Sequence, residues 1–472
     1  MGELSSGRAR AGYAVLLVMS LLFAACGGDQ SDPEAVDETT TPVPGSGDTP
    51  DTPTPTTAEV DTSTETTEPE ARVVRPVNLA VPDRARASAN PETAGSAITS
   101  FGFDLFSAAR RSASNEDGPL NLTVSPASVA TALAMLEPGT VEDAQGQLRS
   151  LLAITNADRF HASMNSLQEN LATREPGDFG EGDPGEVTMR IANAAYLQRG
   201  YPFEEPYLET IGANYGPVLY EVDFSRDPDA VARGINDFVA DATEQQITDL
   251  IADGVIDPTT VLALVNALYF KASWLDPFDA AETSSDNFTR LDESTVGIEM
   301  MRGSSSSSAE GDGWVGATKS YTGGLSAQFI LPDEDRFDEV SADLSSVFDE
   351  YEANRTTGAD LEVPLFETRS AVELDAALQA LGLTAPYQAG GLLGIAPDER
   401  LIVDKVIHET FVAMDEQGTE AAAATVVLGV LLSGPPSPPV PVTLDRPFLY
   451  RIIDQETGAT LFIGQVVDPT QG

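Results

Sequence analysis

One cysteine, two histidines and three lysines are all that 472 residues hold of these three types. A lone cysteine, Cys26, excludes a disulfide within the chain. Two histidines, His161 and His408, are too few for a histidine-rich zinc site, so no metal and no cofactor is expected. They also leave a Ser-His-Asp hydrolase only two candidate bases. The pattern Gly-x-Ser-x-Gly of a nucleophile elbow is missing, and so is a glycine-rich phosphate loop. Positive charge is scarce as a whole. Lys plus Arg is 26 against 75 Asp plus Glu, a formal charge of −49. Such a chain repels nucleic acid and anionic lipid head groups, so nucleic acid is not an expected partner.

What is present begins with a targeting signature. Arg8 and Arg10 precede the apolar run Ala11 to Ala25, 15 residues long. That is short for a bilayer span and right for a signal-peptide core. The run ends Phe23-Ala24-Ala25-Cys26-Gly27, which resembles a bacterial lipobox, where cleavage precedes the cysteine and its thiol carries lipid. Residues 1–25 are therefore expected to be a lipoprotein signal peptide and Cys26 the lipidation site. The alternative is an ordinary secretory signal with a stray cysteine. Either way the expected location is extracytoplasmic, lipid-anchored to the cell membrane through buried acyl chains or else secreted. From Gly27 to Ala71 there is no Lys, Arg or His and there are 12 Asp or Glu, with Thr and Pro prominent. Apolar content there is too low to offset the entropy of ordering. Residues 26–91 read as a disordered, self-repelling tether.

Residues 92–472 show no second linker and no repeat, so one domain is expected. Ile98 to Ala109 has helical spacing. Ser125 suits an N-cap and Pro126 a first helical turn, opening a helix over Val129 to Leu136. Ile235 to Ile251 spaces its apolar residues along one helix face, and His161 falls on a polar helix that places it in solvent. Val261 to Phe270 is almost continuously apolar, as in a central strand covered on both faces. Further strands are expected at Ser326 to Leu331, Leu361 to Phe366, Leu401 to Val406 and Thr410 to Met414. Phe448 to Asp454 and Thr460 to Val467 read as a hairpin around Glu456-Thr457-Gly458. Helices early and antiparallel strands late indicate an α+β fold.

Several segments, in order, carry a resemblance. They are Asn121-Leu122-Thr123-Val124-Ser125-Pro126-Ala127-Ser128, Ala192-Asn193-Ala194, and Val265 through Trp274 (Val-Asn-Ala-Leu-Tyr-Phe-Lys-Ala-Ser-Trp). Met300-Met301, His408-Glu409-Thr410-Phe411, Asp415 through Thr425 and Arg446-Pro447-Phe448 complete the set. With these the chain resembles the serpin family over essentially all of residues 92–472. The resemblance implies a single domain of helices packed around a large central mixed or antiparallel sheet, with smaller sheets and an exposed reactive loop near the C-terminus. It departs from the family at Phe238 and Gln246, in the Ser304 to Ser308 loop and over Gly390 to Ile395.

The loop has physical content of its own. Glu416 to Ser433 holds no proline and, after Glu420, no charge. Two-residue alternation sets Thr419, Ala421, Ala423 and Thr425 on one face and Glu420, Ala422 and Ala424 on the other. The first face could be buried in a sheet without burying a charge. Pro435, Pro436, Pro438, Pro439 and Pro441 all lie beyond Ser433, where they cannot remove a ladder hydrogen bond.

The resemblance implies a hinge at Glu416, Gly418, Thr419, Glu420, Ala421, Ala422, Ala423 and Ala424, and a scissile bond at Leu432–Ser433. A shift by one residue, to Leu431, would still offer leucine to an apolar specificity pocket. Ser125, Ser128, Asn266 and His408 match the family's shutter, where the sheet parts, and Trp274 its breach, where the loop enters; a plain core aromatic is the other reading of Trp274. The implied function is suicide-type inhibition of chymotrypsin-like or elastase-like serine proteases, through a covalent acyl-enzyme and strand insertion. The protein would then be no enzyme, and a monomer whose partners are a serine protease and, through its N-terminal lipid, a membrane. A non-inhibitory binding protein on the same fold is the alternative. A solute-binding lipoprotein is a third class, and a serine hydrolase a distant fourth.

Overall fold

In a computed structural model of the chain, the described residues are 13–22 (as backbone), 85, 88–113, 119–175, 185–419 and 440–471. The expected lipidation site Cys26, the hinge residues Glu420 to Ala424, Leu431 and the Leu432–Ser433 bond lie outside them, as does most of the tether.

The first helices are α1 (Glu92–Ala113) and α2 (Pro126–Leu136). The Ser125 hydroxyl accepts the Ser128 N–H, and Pro126 opens the first turn of α2. This is the expected cap, and every residue of α2 is buried. Next come α3 (Glu142–Leu151), α4 (Ala157–Ala172), α5 (Glu205–Tyr215) and α6 (Pro228–Ala242). The helix expected over Ile235 to Ile251 stops nine residues early. Glu244 and Gln245 take positive φ of 49° and 68°, and the Asn236 side chain bonds both the N–H and the carbonyl of Ile251. That pair of bonds folds the following residues back along the helix. Ile247, Leu250 and Ile251 are buried all the same, so the apolar spacing reported burial and not helix.

Strands of the central sheet are numbered β1 (Tyr13–Leu22), β2 (Val187–Gln198), β3 (Val218–Val222), β4 (Thr260–Ser273), β5 (Phe366–Glu373), β6 (Leu401–Met414) and β7 (Gly418–Thr419). Their order is β5-β6-β1-β4-β2-β3, with β7 pairing β4. β4 is buried at every position except Lys271, as a strand covered on both faces must be. β6 is continuous where two shorter strands were expected. His408 and Glu409 do not break it, because His408 finds a buried partner and Glu409 pairs Arg369.

β1 runs parallel to both β6 and β4. It comes from the apolar run expected to be a signal-peptide core, and such a run suits a slot closed on both sides. Met19 lies level with His408 on one neighbour and Asn266 on the other.

Two smaller sheets are formed among the described residues. One has six strands, in the order Leu122–Val124, Thr460–Val466, Phe448–Asp454, Leu325–Pro332, Trp314–Ser320 and Ser307–Gly311. It contains the expected C-terminal hairpin. The other has four: Val442–Thr443, Asp360–Pro364, Thr295–Ser304 and Ser284–Thr289. The architecture is the expected α+β.

Candidate functional site

The end of β6 carries the first part of the site. After Met414 the chain turns at Asp415, whose carboxylate accepts the N–H groups of Gln417 and Gly418 at 2.9 and 3.0 Å. An aspartate bonding backbone two and three residues ahead is an Asx-type turn. Gly418 has φ of 148°, and a Cβ there would lie 2.2 Å from the Ala272 carbonyl oxygen; only glycine fits. The chain then re-enters the sheet as β7, antiparallel to β4, with Gly418 opposite Ser273 and Thr419 opposite Ala272.

Which edge of β4 does β7 use? β2 covers one edge, with Val187 opposite Ala272. The other edge is covered by β1 from Thr260 to Tyr269. β7 therefore lies on the β1 edge, just beyond the end of β1.

Aromatic side chains brace this entry point. Trp274 stacks on Tyr321 with ring centres 4.0 Å apart and an interplanar angle of 11°. Its indole N–H donates to the Asp415 carbonyl at 2.9 Å, and its backbone N–H to the Gln417 carbonyl. The Tyr321 hydroxyl lies 3.1 Å from the Thr419 hydroxyl, and Thr419 is fully buried. The Glu416 carboxylate accepts from Thr283 at 2.8 Å. Lys319 is buried nearby, donating to the Ser304 carbonyl and standing 4.2 Å over the Phe278 ring. Burial pulls its ammonium down to about 8, with Asp276 opposing the shift.

The second part lies where the start of α2 meets β6 and β4. The Ser125 N–H donates to His408 Nε2 at 2.9 Å, which requires that nitrogen to be unprotonated. The Ser128 hydroxyl donates to Asn266 Oδ1 at 2.5 Å. His408 stands on β6 and Asn266 on β4, the two lips of the slot that β1 fills. One turn of α2 thus holds both lips. All four residues are essentially inaccessible to solvent. The sequence reading named them and Trp274. It assigned no role to Tyr321, Asp415, Thr283 or Asn193. Asp415 had a legible signal in its Asp-x-x-Gly spacing; Tyr321 had none.

His161 is a correction. It is buried, not solvated, with 3% of its surface exposed. Its Nδ1 lies 2.6 Å from the Tyr215 hydroxyl and its Nε2 3.0 Å from Glu137. The face of α4 that looked polar packs on α5 and on the turn after α2, where each polar group finds a partner. Among the described residues no cluster of three His, Cys, Asp or Glu side chains could hold a metal ion.

Comparison with known proteins supplies the family. The family model for Serpin (serine protease inhibitor) matches residues 96–469. Alpha-1-antitrypsin of Meriones unguiculatus is 31% identical over 382 residues, covering 79% of this chain and 90% of its own. Alpha-1-antichymotrypsin of Pongo abelii is 32% identical over 365 residues, covering 74% and 83%. Among solved structures, the thermophilic serpin tengpin in its native state superposes with a TM-score of 0.68 at 23% identity, covering 82% of this chain and 97% of its own. Thyroxine-binding globulin complexed with thyroxine gives 0.66 at 25% identity, covering 81% and 99%. With the family model spanning most of its length and a fold built to the same plan, the chain belongs to the serpin family, whose members are typically protease inhibitors and not enzymes.

Proposed function

We propose that this chain inhibits chymotrypsin-like or elastase-like serine proteases by offering the Leu432–Ser433 bond and inserting the cleaved loop as a strand between β6 and β4. The observation that carries the reading is the register of β7. Each step forward along the loop is one step back along β4, starting from Gly418 opposite Ser273. Continued in that register, Leu431 falls opposite Thr260, the first residue of β4. A loop cut after Leu432 therefore has the length to pair with all 14 residues of β4. The insertion carries an attached protease about 45 Å, the length of the strand.

The chemistry follows from the cut. The protease serine attacks the Leu432 carbonyl, expelling the Ser433 amine and leaving an ester. Insertion separates the two new ends and distorts the protease before water can hydrolyse that ester. Ser125, Ser128, Asn266 and His408 act as the shutter, Trp274 as the breach and Glu416 to Ala424 as the hinge. We read Cys26 as the lipid-bearing mature N-terminus, with the acidic stretch behind it as a tether from an extracytoplasmic membrane face. The relatives named as antitrypsin and antichymotrypsin agree with inhibition as the activity.

Incubation with chymotrypsin and with elastase, followed by denaturing electrophoresis, tests the reading. A complex that survives denaturation and a released peptide beginning at Ser433 are expected. Leu432→Arg should redirect trapping to trypsin, because the pocket contact changes while the inserting strand does not. Cleavage with full turnover and no stable complex across these proteases would leave a non-inhibitory binding protein.

A further inference from the structure

The bond between Ser128 and Asn266 is one link in a closed ring. The Asn266 amide donates to Asn193 Oδ1 on β2 at 2.8 Å. Asn193 in turn donates to the Tyr215 carbonyl at 3.0 Å and to Gln168 Oε1 on α4 at 2.9 Å. Tyr215 closes α5, and its hydroxyl meets His161 on α4. His161 meets Glu137, which directly follows α2, the helix that bears Ser128. Arg149 on α3 holds the other Glu137 oxygen at 2.6 Å. The ring leaves α2 at its first turn and returns at its last.

Its chemistry is determined by its members. Burial alone would raise the Glu137 carboxyl, but the bonds from His161 and Arg149 outweigh it and hold the group below its usual value. A carboxylate only accepts, so His161 Nε2 carries a proton toward it. Burial raises the Tyr215 phenol, which keeps its hydroxyl hydrogen. Ser128, Asn266, Asn193, Gln168, Tyr215, His161 and Glu137 are all at least nine-tenths buried, and inside a protein each such bond polarises the next. One donor is left over. Gln168 Nε2 has no acceptor among the described residues. A buried donor of this kind is costly to leave unpaired.

We propose that this ring acts as one unit that positions Asn266, the β4 lip of the slot, and that Tyr215 and His161 are thereby positioning residues for strand insertion, remote from the loop and from the protease. The proposal rests on the insertion reading above. The β6 lip is held from the same turn of α2, through His408 and Ser125. Loosening the ring lets the β4 lip wander from the place an incoming strand needs, while the hinge and the scissile bond stay untouched. Insertion slows, and hydrolysis of the acyl-enzyme competes better.

A double-mutant cycle on the chain from Cys26 onward decides it, with Tyr215→Phe at the outer arc and Ser128→Ala at the lip. The first readout is the ratio of covalent complex to cleaved, released inhibitor with chymotrypsin. Each single change should raise turnover about threefold, and the pair should do no more than the worse single, because separated residues add unless they share a network. Should Ser128→Ala not fold, Asn193→Ser takes its place. Additive effects, or an unfolding midpoint that falls with no change in the ratio, would overturn the proposal while leaving inhibition standing. If the wild type forms no complex at all, the insertion reading falls instead. The same cycle read in denaturant midpoints then decides the ring: coupling supports it as a unit, and additivity overturns it.

Discussion

At Thr419 a single methyl and hydroxyl sit fully buried beside Tyr321, at the point where the loop would begin to enter the sheet. Thr419→Arg puts a charged guanidinium into that buried site. Burying an unpaired charge is costly, and the cost falls on the native β7 as well as on insertion, so the variant should lower the unfolding midpoint and raise the moles of inhibitor consumed per mole of protease inactivated, by about tenfold for each 1.4 kcal/mol lost to insertion. Unchanged stoichiometry with an unchanged midpoint would show that position 419 need not be buried for folding or trapping. Lys319 gives a prediction of a different kind. Its ammonium is lowered by burial from 10.5 to about 8, so between those values the unfolded chain binds a proton that the folded chain does not. Stability should rise with pH across that window, by at most about 3 kcal/mol. Below pH 8 both states are charged and the full cost remains. In Lys319→Met the rise should vanish, as read from unfolding midpoints between pH 7.5 and 10; a variant that keeps it places the titration elsewhere. Single residues with local physical meaning were legible beforehand. Ser125 caps, and Thr419 faces inward. His161 was not legible, because a helix face shows its polarity but not what packs against it.

Elements followed the same division. Strand β4 announced itself through a ten-residue run broken only by Asn266, and the C-terminal hairpin through its Gly458 turn, since both signals are short-range. The end of α6 did not. It depends on Asn236 bonding Ile251, a contact that periodicity cannot see, and the apolar spacing continued across the break. The continuity of β6 was hidden because His408 and Glu409 interrupt an apolar pattern, and only their tertiary partners explain why the strand runs through. The fold as a whole was readable from ordered family segments. The ring around Asn193 was not, although Ala192-Asn193-Ala194 is among those segments, because a short motif does not say what its side chain touches.

The whole molecule turns on the space between β4 and β6. It has one strand's width, and two parts of the chain have a claim on it. Tyr13–Leu22 lies there now, parallel to its neighbours, and the loop starting at β7 would come in antiparallel from the opposite end. In the β7 register, Ala422 falls opposite Tyr269, where Leu22 already pairs. Two strands cannot share that edge, so the order of events in time matters as much as the contacts. A chain that keeps its first 25 residues should be cut by chymotrypsin and let go, whereas a chain beginning at Cys26 should trap it. Equal trapping by both forms, measured side by side, would show that β1 yields freely. If the difference holds, and residues 1–25 are the signal peptide we propose, their removal would do more than release the protein from an export route. It would be the irreversible step that arms the trap, and an inhibitor made this way would stay harmless to the cell's own proteases until it had been processed.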